Sequence, residues 1–103
     1  MTDAERNKAT LQCLYDDVMN GHDVDAADRL ITPDRPDHDP TFPPEFTRDR
    51  EGFKRLLRMI PPTARSFTIS NVDFCRFTHD GLIAEHWGLV DMASMLRQLG
   101  VAG

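Results

Sequence analysis

The sequence predicts an α+β domain in which helices pack on a small antiparallel sheet. Apolar residues recur at helical spacing near both ends of the chain, and a β-rich run from Ser66 to Phe77 leads into "HDG" and a second strand-like stretch. The 103 residues, 40% of them apolar, allow one modest core, so residues 1–103 are read as a single domain.

The first helix is expected over residues 4 to 20. Leu11, Leu14, Tyr15, Val18 and Met19 fall on one stripe, and Gly21 follows where a terminating glycine belongs. Asp23 is placed to cap a short second helix that turns Val24, Ala27, Leu30 and Ile31 inward until Pro33 ends it. Residues 32 to 47, "TPDRPDHDPTFPPEFT", hold five prolines and no helical period, which predicts an extended connection or one short strand. A third helix is expected from about Asp49 to Met59, burying Phe53, Leu56, Leu57 and Ile60 before Pro61 and Pro62 stop it.

Apolar parity slips within the strand from Ser66 to Phe77, where Phe67 and Ile69 share one face and Val72 and Phe74 the other. A β-bulge near Asn71, or burial of both faces, accounts for such a slip. Asp80-Gly81 forms the hairpin turn, "DGLIAEHWGLVD" is the returning strand, and Met92, Met95, Leu96 and Leu99 give a last amphipathic helix. Four helices thus surround two strands, and a lone hairpin is marginal in water. Either residues 37–46 add a strand or a second subunit does.

The net charge of −5, with no basic stripe, argues against nucleic acid or an anionic membrane as partner. "MTDAERNKAT" has no apolar signal region and no run is long enough to span a bilayer, so a soluble cytoplasmic protein is expected. Cys13 and Cys75 read as reduced thiols rather than a bridge. The four histidines show no metal-ligand spacing, and no metal or cofactor is expected.

Taken in order, "NKATLQCLYDDVMNGHDVDAADRLITPDRPDHDP", "REGFKRLL", "IPPT" and "VDFCRFTHDGLIAEHWGLVDMASMLRQLG" resemble successive blocks of the SnoaL-like polyketide cyclases, within the NTF2-like superfamily. The resemblance implies a shortened cone-type fold. In the usual member two or three long strands separate the "REGFKRLL" helix from the "IPPT" turn, and here Met59 leads straight into that turn. Roughly forty residues, three strands with their turns, are absent. The resemblance also implies a cofactor-free aldol closure in which an acid near the end of the last strand handles a proton. In some members that acid directly follows the "EHW" triplet; here the position is Gly88, which leaves Asp91 just downstream.

Asp91 and His86 are therefore the candidate acid–base residues. Tyr15, His38, Trp87 and Phe74 are the candidate substrate-binding residues, Tyr15 and His38 as orienting groups. Each has a structural alternative. Asp91 stands before the last helix with Ser94 three residues on, an ordinary cap; His86 is equally a hydrogen-bonded histidine on a sheet face. Trp87 packs against helices as readily as it walls a pocket, Tyr15 is equally a core tyrosine with a wet hydroxyl, and His38 lies in a turn-forming "PDHDP".

Two functions remain open. One is a cyclase or isomerase of a small, apolar, carbonyl-bearing substrate; the other is a non-catalytic ligand-binding or dimeric assembly domain that has lost the family cavity. Both readings expect a homodimer whose second subunit completes the sheet. Sedimentation across about a hundredfold dilution should show a dimer that loses its circular-dichroism signal as it dissociates. A folded monomer throughout would contradict that expectation.

Overall fold

The computed structural model describes residues 2–60 and 71–99. α1 (Asp3–Cys13) begins at a capping box, in which Thr2 and Glu5 satisfy each other's backbone N–H. It runs directly into a π-helical stretch, Leu14–Asn20. The wider turn shifts the expected stripe: Val18 is fully buried and Leu11 and Leu14 flank the core, but Tyr15 and Met19 are exposed. His22, at φ 58°, reverses the chain into a 3₁₀ helix, Val24–Arg29. Asp23 makes no side-chain cap there; its carbonyl accepts from Ala26 instead.

α2 (Arg50–Arg58) starts where Asp49 accepts the Gly52 N–H at 2.9 Å. Leu57 is buried, while Phe53, Leu56 and Ile60 are half-buried. Lys54 is buried as well. Its ammonium reaches Asp28 at 2.8 Å, Asp25 at 3.1 Å and Glu51 at 3.5 Å, and these carboxylates hold its pKa above the ordinary value against the desolvation. The 3₁₀ helix and α2 are thus joined by ion pairs around a snorkelling lysine as well as by apolar contact.

β1 (Asn71–Phe77) and β2 (Ile83–Val90) form an antiparallel hairpin. Gly81 takes φ 86° in the turn, and Thr10 of α1 donates to its carbonyl at 2.7 Å. The register irregularity lies between Arg76 and Phe77, opposite Ala84, and not near Asn71. It lets the consecutive Ile83 and Ala84 both be buried. The expected strand residues 66–70 lie outside the described residues. α3 (Met92–Leu99) follows, capped by Asp91 and with Met95 buried.

The question of a third strand has a specific answer. β2 carries β1 on one edge, and the proline-rich segment runs parallel along the other. Ile83 N–H donates to the Leu30 carbonyl at 2.8 Å and Thr32 N–H to the Ile83 carbonyl at 2.9 Å. His86 N–H donates to the Pro36 carbonyl at 3.0 Å and His38 N–H to the His86 carbonyl at 2.8 Å. Between the two bridges, Ile31 to Asp37 spends six residues against three from Ile83 to His86. Pro33 and Pro36 have no N–H, so the segment touches the strand at two points rather than along a ladder.

The core gathers Val18, Val24, Ala26, Ala27, Ile31, Leu57 and Ile83, with Cys75 and Phe77 against it. No helix among the described residues is long and apolar enough to cross a membrane. At the start of α2, a β-carbon on Gly52 would lie 1.6 Å from the Thr47 carbonyl oxygen. Gly52→Ala should therefore destabilise by about 2–3 kcal/mol, read as a lower urea midpoint, because the backbone must move to relieve the overlap.

Candidate functional site

The sheet's inner face brings together residues from three separated segments. Cys75 and His86 are cross-strand partners, and Asp73 shares their face two residues before Cys75. Asp37 arrives from the proline-rich segment, whose backbone is bonded to that of His86 on either side of it. The imidazole consequently lies between two carboxylates: Nδ1 is 3.0 Å from Asp37 Oδ1, and Nε2 is 2.7 Å from Asp73 Oδ1. Tyr15, despite its exposure, belongs to the same group, since its hydroxyl donates to Asp73 Oδ2 at 3.3 Å. Behind Asp37 stands the buried Arg35, its Nη2 3.2 Å from Asp37 Oδ2.

Electrostatics favour charge in this cluster. Burial pulls the His86 pKa down, but the hydrogen bonds to Asp37 and Asp73, and then their charges, outweigh it and carry the pKa up to about 9. At neutral pH His86 is an imidazolium donating through both nitrogens. For Asp37 burial raises the pKa, yet His86, the Asp39 amide and Arg35 together hold it below the usual carboxylate range. Burial first, and then the charge of Asp73, pushes the Cys75 thiol up, so it stays protonated beside the cluster.

The outer face holds a second group. His38 Nε2 lies 2.7 Å from Glu85, which also accepts from Arg76 Nε at 3.0 Å. The His38 ring stacks on Trp87 with centroids 5.2 Å apart. Trp87 pairs across the strands with Phe74, and Leu89 continues the strip. These side chains are 40%, 68% and 55% exposed, so Trp87 is not packed beneath helices.

The candidates named from sequence therefore separate into three places. His86 and Tyr15 meet through Asp73; His38, Trp87 and Phe74 share the outer face; Asp91 is exposed and accepts the Ser94 N–H at 3.0 Å as a helix cap. Sequence reasoning missed Asp73 and Arg35 and treated Asp37 only as a turn former. Asp73 had one signal, a carboxylate alternating with Cys75 and Phe77 on the strand's apolar side, where an acid needs a partner. Among the described residues, no group of three or more His, Cys, Asp or Glu side chains is arranged to hold a metal ion.

The sequence model of the SnoaL-like polyketide cyclases matches residues 57–99, from the end of α2 through the hairpin to α3. The fold agrees with solved structures. IdmH of Streptomyces antibioticus, a candidate polyketide cyclase, is 26% identical with TM-score 0.64, over 92% of this chain and 99% of that one. Over residues 57–99 the chain is similar to the SnoaL-like polyketide cyclases. A candidate polyketide cyclase of Acidithiobacillus ferrooxidans is 18% identical with TM-score 0.67, over 100% of both chains. TsrD of Streptomyces laurentii is 18% identical with TM-score 0.59, over 97% of this chain and 96% of that one. No curated protein matches the sequence. The likeness to IdmH and to the Acidithiobacillus protein thus extends over nearly the whole of each compared chain.

The His86 pKa makes the stability of the fold depend on pH with a definite sign. The folded-state pKa of about 9 exceeds the unfolded reference of 6.5, so the stabilisation is complete below the latter and is lost as pH rises through the former. Urea midpoints should fall between those pH values by the equivalent of up to about 3 kcal/mol. His86→Gln should flatten the slope.

Proposed function

We propose that this protein is a cofactor-free cyclase or isomerase of a small, apolar, carbonyl-bearing substrate, with the proton handled by His86 and Asp73. The reading rests on one observation: an imidazolium held between two carboxylates, one buried and fixed, the other nearer solvent. Asp37 is 3% exposed in its side chain and Asp73 is 21% exposed, so the substrate is met on the Nε2 side.

Asp73 takes a proton from the activated C–H, and the breaking C–H bond leaves its electron pair in an enolate. Protonation of Asp73 weakens its hold on Nε2–H, which then donates to the enolate oxygen where negative charge grows. The enolate carbon attacks a second carbonyl of the same substrate, a C–C bond forms, and the resulting alkoxide takes the proton from Asp73. Product and substrate are isomers, and the protein ends as it began. The Tyr15 hydroxyl orients Asp73, and in this scheme Asp91 serves as the cap of α3.

A non-catalytic assembly or ligand-binding domain is the second reading, favoured by the exposed strip of Phe74, Trp87 and Leu89 on the outer face. Exchange of deuterium into α-alkyl β-keto esters, followed by NMR, separates the two. The catalytic reading expects protein-dependent exchange that falls about 100-fold or more in Asp73→Asn and His86→Gln. Asp91→Asn should keep that exchange while costing about 1 kcal/mol or less of stability. Exchange no faster than in buffer, or unchanged in the first two variants, would overturn the catalytic reading.

A further inference from the structure

The two sides of the His86 ring differ in burial, with Asp37 3% and Asp73 21% exposed. On the Nδ1 side every neighbour is fixed. Asp37 Oδ1 accepts the Asp39 N–H at 3.0 Å while facing Nδ1, and the other oxygen meets Arg35. The carbonyls of Asp37 and Asp39 both accept from Arg48 Nη1, at 3.1 and 2.7 Å. On the Nε2 side, Asp73 is braced at Oδ2 by a hydroxyl from the exposed Tyr15.

Arg35 is a costly way of building the first side. Its side chain is 5% exposed, its guanidinium lies 5.2 Å over the Phe53 ring, and Nε makes no hydrogen bond among the described residues. Buried ion pairs seldom add stability, because desolvation of both charges offsets their attraction. What such a pair does supply is a single fixed geometry. Without a cation behind it, Oδ2 loses its charged partner, and the Asp37 carboxylate is held on the Oδ1 side alone, by the Asp39 N–H and His86.

We propose that Arg35 is a positioning residue, which acts through Asp37 to keep a proton on Nδ1 of His86 and so leaves Nε2–H as the donor that meets the enolate oxygen of the substrate. The inference rests on the reading of His86 as the proton-handling group. Arg35 touches neither His86 nor substrate in this scheme. The ion pair is one contact, not a two-pronged fork, so a point charge at the same place should replace it in part.

The test is NMR of the His86 ring in the intact chain, labelled with ¹⁵N at histidine, with β-keto ester exchange measured on the same samples. Wild type should show a slowly exchanging Nδ1–H at neutral pH and a faster Nε2–H. Arg35→Met should speed Nδ1–H exchange about tenfold or more and lower kcat for the β-keto ester with little change in KM. Arg35→Lys should recover part of both effects. A wild-type Nδ1–H that exchanges as fast as Nε2–H would overturn the proposal before any variant is made. Folded Arg35 variants with a lower melting temperature but unchanged ring signals would also overturn it, and so would failure of both to fold, since each assigns Arg35 a purely structural role. Ring signals that shift as expected while wild type gives no β-keto ester exchange would uphold the positioning role and sink the catalytic reading instead.

Discussion

The link between Asp37 and His86 is the constraint on which the rest of this small protein depends. It joins the proline-rich segment to the central strand twice over, through the main chain on either side of Asp37 and through the side chains themselves. β2 would otherwise be the open edge of a two-stranded hairpin, which is marginal alone in water. With the segment in place, Ile31 is seated on Ile83, Asp37 reaches the inner face, and the 3₁₀ helix and α2 close over the apolar cluster. A single attachment thus supplies both an edge for the sheet and the second carboxylate of the His86 clamp.

Charge carries much of the remaining load. Among the described residues the largest fully buried side chains are Ile31, Ile83 and Val18, a small apolar set. Around it lie Arg35 and Asp37 on one side, and Lys54 among Asp25, Asp28 and Glu51 on the other. Such pairs fix geometry more than they add stability. The arrangement suits a two-stranded sheet: among the described residues the apolar core is small, and directional bonds define the rest. The same arithmetic separates the two faces of the hairpin. The inner face is bound up in hydrogen bonds, while the outer face presents Phe74, Trp87 and Leu89 to solvent.

What the sequence made legible follows from how local each feature is. The Asp-Gly turn, the Asp91 cap and the returning strand depend on residues within one or two turns, and all are in place. Strand alternation puts His86 on one face with Gly88, apart from Glu85 and Trp87, and the register agrees. Features that depend on distant residues were hidden. Lys54 is buried only because three acids converge on it, and Asp73 matters only because Tyr15 lies beside one oxygen and His86 beside the other, 58 and 13 residues away. The pairing of residues 31–38 with β2 left no periodic trace, since six residues span the distance of three and prolines interrupt the bonding. Tyr15 left the core stripe for a reason equally invisible to a helical wheel: the turn that carries it is π rather than α.

The most direct test of the account is the titration of the His86 ring itself, read from its carbon and proton shifts in the folded chain. A clamp of two ionised carboxylates requires the imidazolium to persist well past neutrality, with a midpoint near the value of about 9 that the geometry supports. A midpoint at or below the free-histidine value of about 6.5 would mean that burial outweighs the carboxylates. In that case the two carboxylates do not hold His86 as an imidazolium, and the proposed chemistry does not stand as described.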